Sequence, residues 1–158
     1  MAKRIDYLDD PEAPSANSLV PSANVIVVNN QDEILMIRRT DNGNWAVPGG
    51  AMDLGESITD TAVRETREET GIDCEITGLV GIYTNPRHVI RYTSNDEVRQ
   101  EFSIVFTARP TGGDLRPSSE SSEPQWISAA KATNLQMHPS MRQRIQHYLT
   151  KRTQPYLG

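Results

Sequence analysis

The fold is decided by residues 49–72, which read GGAMDLGESITDTAVRETREETGI. From residue 57 to residue 70 the apolar side chains recur at helical spacing, and Gly71 stands where a left-handed helix cap is expected. On a helix with 3.6 residues per turn, Ile58 and Ala62 can face the core. The segment therefore predicts one amphipathic helix that follows a glycine-rich turn.

Three glutamates lie close together on this predicted helix. Glu65 and Glu69 are four residues apart, and Glu65 and Glu68 are three apart, so their side chains project in neighbouring directions. Like charges at this spacing destabilise an isolated helix by roughly a few tenths of a kcal/mol per pair. One interpretation is a solvated, charged helix surface. The other is that a hard divalent cation such as Mg²⁺ is bound among the carboxylate oxygens.

Short apolar and β-branched runs surround the helix. We predict strands at residues 23–28, 33–39, 74–84, 101–110 and 125–128, a short helix at 129–135 and a terminal helix at 138–152. The first two strands are expected to pair as a hairpin through a polar turn, and residues 85–100 are expected to be a loop with ragged strand edges. Strands that alternate with two main helices indicate an α/β or α+β domain.

The prolines and small polar residues near the start predict an extended N-terminal arm over residues 1–20. A single domain is expected over residues 21–152, followed by a short tail at residues 153–158. We expect the arm to be dispensable for chemistry and to dock on the domain or on a second copy of the chain. A homodimer is one expected form of the protein.

Composition limits the classes of function. A chain of 158 residues suits one globular domain, and its formal net charge of −5 argues against binding to nucleic acid or to an anionic membrane surface. The longest apolar run near the start is far too short to span a bilayer. One cysteine, Cys74, cannot form an internal disulfide. These features are consistent with a cytoplasmic protein.

The spacing within residues 49–72 resembles the Nudix box, the signature of the Nudix hydrolase superfamily. The pattern is glycine, five residues, Glu, seven residues, and then R-E-x-x-E-E-x-G-aliphatic. Its fixed positions are occupied by Gly50, Glu56, Arg64, Glu65, Glu68, Glu69, Gly71 and Ile72. One position departs, because Thr66 stands where the family usually has an aliphatic residue. The resemblance implies an α/β/α sandwich in which a mixed β-sheet lies between helices.

The resemblance also implies the chemistry. Nudix enzymes hydrolyse a nucleoside diphosphate linked to another moiety, with Mg²⁺ or Mn²⁺ screening the charge of the pyrophosphate. Carried over by position, Glu65, Glu68 and Glu69 would be metal ligands. The Gly49 carbonyl would be a further ligand, and the side chains that orient these groups would be Glu56 and Arg64.

The base that activates the water differs among members of this superfamily. Some use a glutamate of the box, and others use a carboxylate on a later loop. In this chain Glu120 lies in such a loop, six residues before Trp126, and Glu123 is the second candidate. A solvated loop acid is an equally good interpretation of both residues.

Substrate contacts are less well defined by the sequence. The candidates for phosphate, sugar or base contacts are Arg38, Arg39, Trp45 and Arg87. Pro86 lies 15 residues after Gly71 and resembles a proline of ADP-ribose pyrophosphatases. The resemblance therefore favours ADP-ribose or a nucleotide sugar. A (deoxy)nucleoside triphosphate, a dinucleoside polyphosphate and a domain that senses nucleotides without turnover remain alternatives.

Overall fold

The computed structural model describes residues 3–158 of the chain. The strands before the main helix are β1 (Arg4–Leu8), β2 (Ser18–Leu19), β3 (Ser22–Val27), β4 (Glu33–Arg38), β5 (Trp45–Ala46) and β6 (Gly49–Ala51). The later strands are β7 (Ile72–Tyr83), β8 (His88–Tyr92), β9 (Val98–Gln100), β10 (Ser103–Gly113), β11 (Gln125–Ser128) and β12 (Tyr156–Leu157). The helices are α1 (Ile58–Thr70), α2 (Ala129–Ala132) and α3 (Pro139–Leu149).

A five-stranded mixed sheet in the order β12-β7-β10-β3-β6 forms the centre of the molecule. β10 is parallel to β3, whereas β7 and β6 pair antiparallel to their neighbours. Alternate residues of β3 face opposite sides. Val25 and Val27 pack with Ala62 of α1, and Ile26 packs with Ile145 of α3. The sheet therefore lies between helices, which confirms the expected α/β/α sandwich.

The predicted hairpin between the first two core strands forms only next to its turn, and the two strands do not pair along their length. After β3 the chain turns at Asn29, whose side-chain oxygen accepts hydrogen bonds from the backbone of Gln31 and Glu33. The two strands then share only one bridge, between Val28 and Ile34. β4 pairs instead with β11 and β5 in a separate three-stranded sheet. β4 is buried on both faces and contributes to both cores.

A third sheet, in the order β1-β8-β9-β2, is built from segments without a strong sequence pattern. Two of its strands come from residues 85–100, where a loop with ragged strand edges was predicted. The other two come from the N-terminal arm, which is extended as predicted but paired through backbone hydrogen bonds over part of its length. At the other end of the chain, α3 ends at Leu149, before the predicted position, and β12 in the tail pairs with β7.

Helix α1 lies within the predicted residues 57–70 and ends at the predicted glycine. Ser57 and Asp60 form a reciprocal capping box at its start, and Gly71 ends it in a left-handed conformation with φ of 82°. Thr66 is fully buried, and its hydroxyl donates to the Ala62 carbonyl at 2.8 Å. The one departure from the box is thus accommodated, because the extra polar group is satisfied inside the helix. Within residues 3–158, no helix has the length and apolar character needed to cross a membrane.

Candidate active site

The glycine pair lets β6 approach α1 very closely. Gly50 pairs with Ala23 of β3 and lies against the helix. A Cβ atom on Gly50 would lie 2.5 Å from Cδ and from Oε1 of Glu65. Only a residue without a side chain leaves space for this carboxylate. The glycine of the motif therefore places Glu65 against the turn that precedes the helix.

Glu69 is the most buried acid of the helix, with only 5% of the residue exposed. The backbone N–H of Gly49 donates to its carboxylate at 3.3 Å. Burial and the neighbouring charge of Glu65 raise the pKa of Glu69 to about 9. Burial also raises the pKa of Glu65, although Arg64 opposes that shift. Glu65 and Glu69 therefore form a desolvated carboxyl pair at the base of the glycine turn.

Arg64 explains how the helix tolerates so many acids. Its guanidinium donates to Glu56 at 2.5 and 2.9 Å, to Glu65 at 3.0 Å and to Glu68 at 3.1 Å. It also reaches the Ala51 carbonyl at 3.3 Å. The hydrogen bond from Arg64 lowers the pKa of Glu56 to about 2, so this carboxylate stays charged. A single arginine thus ties the loop before α1 to two of the three glutamates.

The donor set fits a hard divalent cation. Carboxylate oxygens are the ligands that Mg²⁺ and Mn²⁺ prefer, and Glu65 and Glu69 are held close enough for each to perturb the pKa of the other. A positive ion among them would relieve this repulsion. Glu68 is more than half exposed and is held by Arg64. The N–H group of Gly49 points towards Glu69.

The raised pKa of Glu69 predicts a pH-dependent stability for the protein in EDTA. Unfolding returns the carboxyl to its ordinary pKa of 4.5, whereas in the folded state the pKa is about 9. Between these values the folded state binds a proton that the unfolded state lacks, so the free energy of unfolding falls as pH rises. Urea titrations from about pH 5 to about pH 9 should show this decline, and Glu69→Gln should flatten it. An unchanged slope in the variant would assign the decline to other groups.

A cavity of about 110 Å³ opens beside Glu69 and the two glycines. Two of the residues proposed from sequence for substrate contact, Arg39 and Trp45, line it. The opposite wall comes from the third sheet and includes Arg4, Tyr92 and Arg99. The guanidinium of Arg99 lies 4.8 Å from the centre of the Tyr92 ring. The cavity therefore joins Glu69 to a wall of aromatic and cationic groups, most of which were not predicted from the sequence.

The other proposed contact residues lie elsewhere. Arg38 is directed towards Glu123, with 3.6 Å between the charged atoms. Arg87 is exposed and lies 3.9 Å from Asp9, and Pro86 beside it lines two separate cavities. The structure does not bring Arg38, Pro86 or Arg87 to the cavity beside Glu69.

The late loop does approach the helix. The backbone carbonyl of Glu120 accepts a hydrogen bond from the Thr40 amide at 3.2 Å, which fixes the loop to the end of the β4 region. The Glu120 side chain is exposed, and its charge contributes to the raised pKa of Glu69. Glu120 therefore lies on the same side of the molecule as the carboxyl pair, whereas Glu123 is engaged by Arg38.

A second polar cluster was not expected from sequence. Ligand atoms of Asp6, His88 and His138 lie within 4.8 Å of one another. Asp6, however, already accepts hydrogen bonds from Arg4 at 3.0 Å and from His88 at 3.3 Å. Although burial opposes the shift, these two partners hold the pKa of Asp6 well below its usual range. Nδ1 of His138 accepts from the Ser140 amide. We therefore interpret the cluster as a neutralised hydrogen-bond network that fastens β1 to β8 and α3.

Comparison with known proteins agrees with this geometry. Residues 18–148 match the NUDIX domain family. A "MutT-like protein" of Streptomyces ambofaciens is 37% identical over 123 residues, covering 77% of this chain and 73% of that protein. The ADP-ribose pyrophosphatase of Methanocaldococcus jannaschii is 31% identical over 104 residues, 64% of this chain and 57% of that protein.

Two further proteins extend the comparison. The 8-oxo-dGDP phosphatase NUDT18 of Mus musculus is 37% identical over 108 residues, which cover 64% of this chain and 30% of that protein. The crystal structure of the MutT protein from Methanosarcina mazei Go1 shares the fold at a TM-score of 0.66. It is 24% identical, with 92% of this chain and 100% of that chain covered. With its fold, its family match and the full set of glutamates in its box, this chain belongs to the Nudix hydrolase family and is a pyrophosphohydrolase.

Proposed function

We propose that this chain hydrolyses the pyrophosphate bond of a nucleoside diphosphate linked to another moiety, and that the reaction depends on a divalent metal. The observation that carries the proposal is the desolvated pair of Glu65 and Glu69, of which Glu69 lines the cavity. Nudix hydrolases act on small nucleotides and generally use divalent metal ions. The position of the pair beside the cavity supports the same chemistry here.

The residues that would hold Mg²⁺ or Mn²⁺ are Glu65, Glu68 and Glu69, with the Gly49 carbonyl as a further ligand. When bound, the ion would screen the negative charge of the pyrophosphate. Arg64 orients two of the three carboxylates and is itself fixed by Glu56. Arginine suits this task because its planar guanidinium presents several donors in fixed directions.

The nucleotide would lie in the cavity next to the carboxyl pair. Trp45 offers an aromatic face for a base, and Arg39 offers a cation, although Asp41 already pairs with it at 2.6 Å. Arg99 and Tyr92 close the opposite wall. Arg38, Pro86 and Arg87 lie outside this cavity and are not included in the proposed contacts.

The test of metal dependence is direct. We expect EDTA to abolish hydrolysis and Mg²⁺ or Mn²⁺ to restore it, because the carboxyl pair cannot screen a pyrophosphate alone. Release of phosphate from the products, measured with a coupled phosphatase, gives the rate. Undiminished turnover in EDTA would overturn the proposal. Nucleotide binding without any turnover in either condition would instead favour a sensing domain.

The favoured substrate class is ADP-ribose or a nucleotide sugar, which agrees with the name of the Methanocaldococcus jannaschii relative. Pro86 no longer supports this choice, because it does not line the cavity beside Glu69. A second candidate, an oxidised guanine nucleotide, is favoured by the name of NUDT18. Comparing kcat/KM for ADP-ribose, a nucleotide sugar, 8-oxo-dGDP and 8-oxo-dGTP decides between the two classes.

We also propose that Glu120 polarises the attacking water. Its charge acts on Glu69, and its exposed side chain can rotate towards bound substrate while backbone hydrogen bonds hold the loop in place. Glu120→Gln should lower kcat by about 10²- to 10⁴-fold with little change in KM, because the effect belongs to the transition state. Glu123→Gln is the matched control in the same loop. If both variants keep the original kcat, a glutamate of the box must activate the water.

A further inference from the structure

Asn24 occupies a specific place between the central sheet and the cavity. It lies on β3 and pairs with Gly49 in the antiparallel register of β3 and β6. A Cβ atom on Gly49 would overlap the amide nitrogen Nδ2 of Asn24. Both residues line the cavity that also contacts Glu69. The Asn24 side chain therefore lies directly beside the glycine turn, in the cavity that Glu69 also lines.

The orientation of the Asn24 amide is fixed by its partners. Its oxygen Oδ1 accepts a hydrogen bond from the Ser103 hydroxyl at 3.2 Å and another from the Arg144 guanidinium. Arginine has only donors, so the atom that faces Arg144 must be the oxygen. The nitrogen Nδ2 must then point the other way, towards Gly49.

Arg144 is unusual because a charged side chain from α3 is buried in the protein. Only 4% of the residue is exposed, and the nearest opposite charge is Glu101, at 3.5 Å. Its guanidinium also lies 5.0 Å from the centre of the Tyr83 ring. In the described part of the chain, its Nε–H group has no hydrogen-bond partner. Burying a charge with incomplete pairing is costly, so stability alone does not account for this residue.

Among the described residues, the amide N–H donors of Asn24 have no acceptor. Within residues 3–158 this nitrogen donates no hydrogen bond, and it is not fully buried. Because Gly49 has no side chain, nothing on that residue covers Nδ2 of Asn24 at the cavity that Glu69 also lines. Two fixed donors at this point suit an oxygen with acceptor lone pairs, such as a non-bridging phosphate oxygen.

We propose that Asn24 is a substrate-orienting residue that donates a hydrogen bond to a phosphate oxygen of the bound nucleotide. Arg144 is a positioning residue, because it prevents the Asn24 amide from turning its oxygen into the cavity. This inference rests on the proposed function, which places a pyrophosphate beside Glu65 and Glu69. It explains why a buried arginine reaches from α3 to β3.

Asn24→Asp is the decisive variant. Its oxygens still accept from Ser103 and Arg144, so the thermal midpoint should stay close to the original value. In place of the donor, a second oxygen faces the phosphate and repels it. We expect KM for the best substrate to rise, and the affinity for AMP measured by calorimetry to fall, by about tenfold or more. Ser103→Ala is the control, because it leaves the contact between Asn24 and Arg144 in place. It should change KM and the affinity for AMP far less than Asn24→Asp does.

A double-mutant cycle tests the positioning by Arg144. Arg144→Gln alone should weaken AMP binding, because the Asn24 amide becomes free to turn. In the Asn24→Asp background the same change should add little, so the two effects should not be additive. Additive effects would assign Arg144 a purely structural contribution.

The outcomes separate this inference from the proposed function. If the original protein hydrolyses no nucleotide in the panel, the proposed function fails, while AMP binding still reports on Asn24. If Asn24→Asp binds AMP as tightly as the original protein, the inference is overturned, whatever the activity. A variant that merely unfolds is replaced by Asn24→Ala, which removes the amide donor and adds neither a charge nor a hydroxyl donor. AMP binding by Asn24→Ala is then interpreted in the same way.

Discussion

Glu69→Gln is expected to lower kcat by about 10²- to 10⁴-fold while leaving the fold intact. Glutamine can still accept the hydrogen bond from the Gly49 amide, so the packing around the side chain is retained. It cannot carry a negative charge, and an amide holds a hard cation poorly. Steady-state kinetics at saturating Mg²⁺, together with a thermal unfolding curve, measure the two parts of this prediction.

The matched control is Glu75→Gln on strand β7. Glu75 is exposed and pairs with Arg109 on the neighbouring strand, away from the carboxyl pair. The Glu75→Gln variant should therefore leave kcat unchanged. If Glu69→Gln keeps the original kcat at saturating metal, Glu69 is not a ligand of the catalytic ion. If the Glu69→Gln variant instead unfolds, the carboxyl of Glu69 has a structural role.

Gly50→Ala is expected to reduce kcat by about 10²-fold with little loss of stability. The new methyl group would lie 2.5 Å from the Glu65 carboxyl carbon, so that carboxylate must move. Its end is flexible and can swing aside without disturbing the backbone. The variant therefore displaces one member of the carboxyl pair while every charge remains in the chain. Kinetics and circular dichroism on the same sample check both statements.

Gly112→Ala provides the comparison. A methyl group there would meet the Asp73 carboxylate at 3.7 Å, an ordinary van der Waals distance. This change should affect neither kcat nor stability. A Gly50→Ala enzyme of normal kcat would show that the position of Glu65 seen here is not required for turnover.

Helix α1 was predicted well from the sequence, because the signals that determine this helix are local. Ser57, Gly71 and the repeat of apolar residues determine the helix, and the box spacing places Glu65 and Glu69 on one side of it. Short-range signals of this kind act through backbone geometry and do not depend on distant contacts. The length of the hairpin was mispredicted for the opposite reason, because β4 pairs with β11, which lies far away in the chain.

The wall of the cavity could not be predicted from the sequence. Arg4 comes from the arm, and Arg144 lies on a helix whose polar residues look like ordinary surface charge. Only tertiary packing reveals that Arg144 points inward and that β1 pairs with β8. Pairing between strands far apart in the chain leaves no periodic signature in either segment. Asn24 was hidden in the same way, within a run that was interpreted as a buried strand.

The third sheet has a consequence for protein engineering. It shares no strand with the sheet that carries β6, yet it supplies Arg4, Tyr92 and Arg99 to the cavity. A combinatorial library confined to these three side chains would therefore leave residues 49–72 untouched. Selection from such a library could redirect the enzyme to unnatural nucleotides, with the reaction chemistry inherited unchanged from the parent chain.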